Sequence, residues 1–382
     1  MKEMKQYTIA EICSRLSSGK GIPASKVTPT GPYPVIGGNG VRGYTDSFNF
    51  DGECAIIGRQ GANCGNVRYF QGKAYMTEHA IVAIGNENAN TKYLACLFSL
   101  MHLGNLSAQS AQPGLSVQTL SKQIIYLPEI RTQNQIADII KSLDTKIELN
   151  NRINHNLEEQ AQALYKSWFV DFEPFKGGKF VDSELGMIPE GWRVAKLGTV
   201  TRQSSQKVKD RTDVKVLSPV TTGELVLSEE YFTKQVFSES ISKYIVVKPL
   251  HFAYNPARVN IGSIGMNMFS FDGCVSPVYV VFECEKGYHH FFDYYRKTAS
   301  FKDEVLNRAI GGVRQTLSYK DFALIKLVYP PYDIVEKFNC IYAGLLENKN
   351  SIKREISKLS ELRDTLLPKL LSGELKINDL TC

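Results

Sequence analysis

At 382 residues, 43% of them apolar and 22% charged, the chain has the make-up of a globular protein and is too long for one small core, which suits two or three domains. The formal net charge is only +6, so its placement matters more than its total: residues 1–130 hold 11 basic against 8 acidic side chains and 176–331 hold 21 against 16, whereas 131–175 hold 5 against 7 and 332–382 hold 8 against 8. Two basic modules with neutral stretches between suit a protein that grips a polyanion at two places, and eight cysteines without C-x-x-C spacing, a start without a signal-peptide core and no bilayer-length apolar run point to a reduced, cytoplasmic chain with no membrane segment.

In chain order, Tyr7, Ile9 and Ile12 open an amphipathic start. A Gly/Pro-rich loop region is expected over 19–43, then short strands at 54–57, 66–70 and 79–84 separated by turn residues. Residues 91–106 have helical apolar spacing, Gln112, Pro113 and Gly114 form a loop, and 115–127 lead toward a long helix. That helix is expected between Pro128 and Pro174, because the stretch between them has no proline or glycine and nothing in it breaks a helix of about 40 residues. Lys176-Gly-Gly-Lys179 reads as a basic joint and Gly186-Met-Ile-Pro-Glu-Gly-Trp192 as the boundary of a second module.

Steps of four and three from Ile136 give a heptad seam: Ile136, Ile140, Leu143, Ile147, Asn150, Asn154, Leu157, Ala161, Leu164 and Trp168. Adding 202 gives a second seam in the same phase, Phe338, Tyr342, Leu345, Lys349, Ile352, Ile356, Leu359, Arg363, Leu366 and Leu370, so the two helices are natural partners. The polar interruptions differ, Asn150 and Asn154 in one and Lys349 and Arg363 in the other, and such residues fix register or partner choice at some cost in stability. The modules repeat as well: Trp192, Val194 and Leu197 match Tyr7, Ile9 and Ile12 at an offset of 185, Gly262-Ser-Ile matches Gly65-Asn-Val at 197, and 317–330 matches 115–128 at 202.

Catalytic motifs are missing from the sequence. There is no G-x-x-x-x-G-K-[ST] phosphate cradle. Asn255-Pro-Ala-Arg258 begins like the Asn-Pro-Pro-aromatic loop of adenine methyltransferases but lacks its second proline and its ring. The acid-x-lysine spacings Asp144-Thr-Lys146 and Glu347-Asn-Lys349 fall on the long helices rather than on a strand that would aim carboxylates together, and His289-His290 opens a helix where it packs or caps. No catalytic or metal-binding residue is assigned. What recurs is a set of base-reading side chains on glycine-rich loops: Arg59, Gln60 and Asn63 in the first module, and Arg258, Asn260, Arg314 and Gln315 in the second. Arginine can pair with a guanine edge, amides with adenine, and glycine lets backbone approach phosphate.

The chain resembles the specificity (S) subunit of type I DNA restriction-modification systems. The resemblance rests on Leu127-Pro-Glu-Ile-Arg-Thr-Gln-Asn-Gln-Ile136 leading into a helix that ends Leu164-Tyr-Lys-Ser-Trp-Phe-Val-Asp-Phe172, on the phrase before Trp192, on Thr77-Glu-His-Ala-Ile81 and on Leu366-Leu-Pro-Lys-Leu-Leu-Ser-Gly-Glu-Leu375. It implies a mixed α/β (α+β) fold with a pseudo-two-fold internal repeat: target recognition domains at 1–127 and 176–330, and spacer helices at 128–175 and 331–382 that pair as an antiparallel coiled coil. It further implies double-stranded DNA as ligand, each domain reading half of a bipartite site, with two methyltransferase (M) subunits and restriction (R) subunits as partners. S-adenosylmethionine, ATP and Mg²⁺ would then be used by those partners and no cofactor by this chain. Partner contacts are expected at Gln135, Ile136, Ile140, Leu143, Leu157, Leu164, Trp168, Leu345, Leu359 and Leu366. The second copy departs from the pattern, reading Tyr329-Pro-Pro-Tyr-Asp-Ile-Val-Glu336 where the first keeps Asn134-Gln135. The alternatives are a self-contained methyltransferase or nuclease, which would need cofactor or metal motifs, and a coiled-coil scaffold that reads no DNA.

Overall fold

The computed structural model describes residues 4–107, 114–232, 237–238, 240–309 and 316–377, and the chain divides into two compact units, one of Met1–Ile153 with Ile352–Cys382 and one of Asn154–Ser351. Each unit therefore holds part of both long helices, Ile130–Phe169 and Tyr332–Ser372. The second helix runs through Gly344 and carries Pro368 near its end. A proline there removes one amide donor, and because Asp364, whose carbonyl loses it, is exposed, water can satisfy the acceptor.

In the first unit a six-stranded sheet runs Cys13–Ser18, Ala80–Gly85, Phe50–Gly58, Val67–Met76, Tyr33–Gly37, Gly40–Thr45. Helix Thr91–Leu100 packs on it, burying Tyr93, Leu94 and Phe98 against Ala55, Ile57, Ile81 and Ala83. Asn90 caps that helix by accepting from Tyr93 N at 2.9 Å. The hairpin Tyr33–Gly37/Gly40–Thr45 falls mostly in the 19–43 stretch expected to be loop. Its strands are nonetheless real sheet, because Val35 and Ile36 turn to the core, and Pro34 lies just before the parallel pairing to Val67–Met76 begins at Val35.

The second unit repeats the first four strands in the same order, Thr201–Ser204, Val280–Cys284, Phe252–Tyr254, Ile264–Met266, all antiparallel. It adds a second sheet, Leu225–Leu227, Lys215–Pro219, Gly273–Val275, Ile245–Val247. A two-stranded ribbon opens each unit, Lys5–Thr8 with Ile124–Leu127 and Arg193–Lys196 with Lys326–Tyr329, and the later strand of each leads directly into a long helix. The one-turn helices that follow the earlier strands, Ile9–Ile12 and Leu197–Val200, correct the offset at this point from 185 to 188. Ile9 and Leu197 hold the equivalent fully buried place, while Trp192 lies before its strand and packs on Phe169, Phe172 and Phe175.

Within each unit the two long helices meet in antiparallel sense. In the first unit Asp144 pairs with Arg363 at 3.1 Å and Lys146 with Glu355 at 3.4 Å, so that as one number rises the other falls. Ile136 and Ile140 share that core with Leu366, Leu370 and Leu371. In the second unit Glu158 pairs with Lys349, and Phe169 meets Phe338 with ring centroids 5.1 Å apart. There the seam residues Ala161, Phe338 and Tyr342 are buried, but at the end of the first helix Tyr165 and Phe169 are buried and Leu164 and Trp168 only partly covered, so that end is turned by about one residue from the expected seam.

Candidate nucleic-acid interface

In the first unit the loop between Phe50–Gly58 and Val67–Met76 is drawn tight by Gly58 N donating to Asn66 O at 2.8 Å and Gly65 N to Gly58 O at 2.8 Å, with a short 3₁₀ turn at Gly61–Asn63. Arg59 N donates to His79 O at 3.0 Å and its Nη1 to Glu78 O at 3.4 Å, which ties the loop to the 77–79 turn. Arg59 is half-buried, Gln60 exposed, and Asn63 half-buried with its Oδ1 accepting from Asn66 Nδ2 at 3.0 Å. Arg59, Gln60 and Asn63 thus share one loop, but Asn63 is occupied in holding it.

The 37–40 turn of the neighbouring hairpin lies against the same place. A Cβ on Gly38 would stand 2.9 Å from His79 O and 3.2 Å from Gly58 Cα, so only glycine fits this approach. A Cβ on Gly37 would come 2.8 Å from Arg42 Cδ, and one on Gly40, whose φ is +99°, would land on the Arg68 guanidinium. Arg42 and Arg68 are exposed. Sequence reasoning missed both, although each stands beside glycines that mark a turn.

The second unit builds its counterpart from the loop between Phe252–Tyr254 and Ile264–Met266. Asn255 Oδ1 accepts from Ala257 N at 3.0 Å and Arg258 N donates to Asn255 O at 2.9 Å, so Asn255-Pro-Ala-Arg258 forms a turn. A short 3₁₀ turn follows at Val259–Ile261, with Gly262 at φ +93° where Gly65 has +82°. Arg258 is exposed and Asn260 half-exposed. The 220–224 turn lies against this loop, a Cβ on Gly262 coming 2.7 Å from Thr221 O. Beneath, the buried Arg296 donates to Gly223 O at 2.8 Å, Ile264 O at 3.0 Å and Asp293 Oδ1 at 2.6 Å. Burial pushes the Asp293 carboxyl up, but Arg296 and Lys297 outweigh it and hold the group ionised below its usual range. Arg314, Gln315 and the Gly311-Gly312 pair before them lie outside the described residues, as do Gln112 and Pro113.

The residues expected at partner contacts divide. Ile136 and Ile140, 2% and 1% exposed, are packing residues of their own unit. Leu143, Leu157, Leu164, Trp168, Leu345, Leu359 and Leu366 are partly covered, and Gln135 is exposed. The glutamine that anchors the helix start is Gln133, unnoticed in the sequence: its Oε1 accepts from Asn90 N at 3.1 Å and its Nε2 donates to Asn88 O at 3.0 Å and Pro128 O at 2.9 Å. The position 202 residues on is Val335, equally buried, so the second copy anchors its helix with an apolar contact. Among the described residues no cluster of His, Cys, Asp or Glu could hold a metal, and no helix is long and apolar enough to cross a membrane.

The family model described as the type I restriction modification DNA specificity domain matches residues 1–159. The MjaIX specificity subunit of Methanocaldococcus jannaschii, a type I restriction enzyme component, is 27% identical over 312 residues, 78% of this chain and 72% of that protein. The EcoprrI specificity subunit of Escherichia coli is 38% identical over 147 residues, covering 37% of this chain and 36% of its own. Among solved structures, the S subunit of a type I restriction-modification system from M. genitalium superposes with a TM-score of 0.65 over 97% of this chain and 96% of its own, at 17% identity, which shows a shared fold.

Proposed function

We propose, for a chain that belongs to the specificity-subunit family of type I restriction-modification systems, that its two units each read one half of a bipartite DNA sequence. That family is non-catalytic. The observation that carries the reading is the repeat itself: in both units the loop between the third and fourth strands of the same four-stranded order holds a short helix, preceded by the exposed Gln60 in one and the exposed Arg258 in the other, beside a glycine-held turn. Such a surface offers bidentate donors and close backbone approach, which is what base edges and phosphates require.

The remaining roles follow from the same reading. Two methyltransferase subunits bind the long helices and supply adenine methylation from S-adenosylmethionine, and restriction subunits supply ATP- and Mg²⁺-dependent cleavage, all in the cytoplasm. Exposed apolar side chains are available for such docking on both helices: Leu149, Ile153, Ile341 and Leu362 are 45–49% exposed. The test is the adenine methylation pattern of the host genome with and without this gene. A bipartite motif that vanishes with the gene is the expected result, and an unchanged pattern where the partner genes are expressed overturns the reading.

A further inference from the structure

Strand register places the turns before two equivalent strands in correspondence. Gly58 and Asn255 open equivalent loops, so Ile57, paired with Ile81, answers to Tyr254, paired with Val280, and the turn closed by Ala80 N on Thr77 O answers to the one closed by Tyr279 N on Ser276 O. Val278 therefore stands at the place of His79, next to that of Glu78, and the exposed side chains of the two turns have opposite chemistry. Val278 is 71% exposed, a branched apolar side chain at the tip of a turn where no packing holds it.

Glu78 has basic side chains nearby. Arg59 Nη1 donates to its backbone carbonyl at 3.4 Å, His79 Nε2 lies 3.3 Å from its Oε1, and the 37–40 turn, which lies against His79 O, has the side chains of Arg42 and Arg68 beside it. Its Oε2 is shielded from solvent and has no hydrogen-bond partner, and the hydroxyl of the fully buried Thr77 beside it is likewise unpaired. A carboxylate oxygen left so is costly where it lies, and the side chain is still 45% exposed. Turning it outward exchanges only the His79 contact for a new donor.

We propose that this turn is the discriminating element of each unit: Glu78 accepts from the exocyclic amino group of a cytosine or adenine while Arg42 and Arg68 hold the duplex on either side, and Val278, one position further along the equivalent turn, contacts a thymine methyl group in the other half-site. The major groove displays these groups, and a carboxylate among phosphate-holding arginines is repelled by DNA unless an amino group meets it, which makes it a selector rather than a grip. The inference rests on the proposed reading of bipartite DNA.

The experiment is a selection of the full-length chain, at about physiological salt, from 40-base-pair duplexes of randomised sequence, for the native protein and for Glu78→Gln, Val278→Ala, Arg42→Ala and Arg68→Ala, each checked for folding by circular dichroism. Glu78→Gln should lose about 10-fold of preference at one position in one half-site and Val278→Ala a smaller preference for thymine in the other, with both remaining half-site sequences kept. Arg42→Ala and Arg68→Ala should weaken binding and flatten its salt dependence by about one unit of slope each. Glu78→Gln with an unchanged motif, or with equal loss for all sequences, overturns the assignment while the bipartite reading stands. A native chain that selects no bipartite sequence overturns the reading itself and the inference with it.

Discussion

Replacing Glu158 by Gln should weaken the second unit in a way that acid erases. Glu158 receives Lys297 at 2.9 Å and also Lys349, with side chains 25%, 32% and 17% exposed respectively. Burial pushes its carboxyl up, but the Lys297 charge and the hydrogen bonds from Lys349, Lys297 and Gln162 outweigh it and hold the group down from 4.5 to about 2. A lowering of about 2.5 units at 1.36 kcal/mol each is about 3 kcal/mol of stability at neutral pH. The folded value lies below the unfolded one, so this contribution is full above pH 4.5 and is lost as pH falls toward 2, leaving about 1 kcal/mol at pH 3. The chain's two tryptophans, Trp168 and Trp192, both lie in the second unit, so urea unfolding followed by tryptophan fluorescence reports that unit. Glu158→Gln should cost about 3 kcal/mol at pH 7 and about 1 at pH 3. A cost below about 0.5 kcal/mol at pH 7, the usual worth of an exposed pair, or one that does not shrink in acid, refutes the view that this carboxylate joins the helices.

His290 should give the same unit a second acid sensitivity: burial and the adjacent His289 push its imidazole down from 6.5 to about 4, so stability present above pH 6.5 falls as the pH drops to 4, and His290→Gln should flatten the tryptophan-monitored midpoint over that range. Gln133→Ala should cost the first unit about 3 kcal/mol by leaving Asn90 N and two carbonyls unpaired, with faster hydrogen exchange at the start of the first long helix as the check and unchanged exchange as the contrary result. Arg258→Ala should relax base preference in one half-site by about 1 to 3 kcal/mol if it reads a base, measured by the same duplex selection, and equal weakening of all sequences would make it a phosphate contact. One heptad added to both long helices, after Ile153 and after Ser351, should change the gap between half-sites by about three base pairs, since seven residues rise about 10 Å, and an unchanged gap in an active complex would show that the helices do not set it.

The elements most readable from the sequence are those built by local rules. The first long helix lies between its prolines because nothing inside it competes with helix, and the seam phase carries over to the second because both bury apolar side chains at the same spacing. Lys349 and Arg363, polar interruptions on the second seam, turn out to be paired with Glu158 and Asp144 of the first helix, so their cost is offset and the antiparallel register gains a charge code. Asn150, by contrast, is buried with its Nδ2 unpaired. The hairpin at 33–45 was hidden because glycine and proline weigh against strand in any local reading, while what forms it is long-range: Val35 and Ile36 pair with Tyr75 and Met76 in parallel. The same reason hides the interface. Arg42, Arg68 and Glu78 lie on three separate stretches that only the strand order brings to one turn, so a search for motifs along the chain meets each as an isolated charge. Arg59 stands out in the sequence because its loop is contiguous and glycine-marked, and its guanidinium is partly spent on structure, holding the Glu78 carbonyl. On the proposed reading, a contiguous motif exposes the frame of the site, and the discriminating groups sit where sheet pairing delivers them.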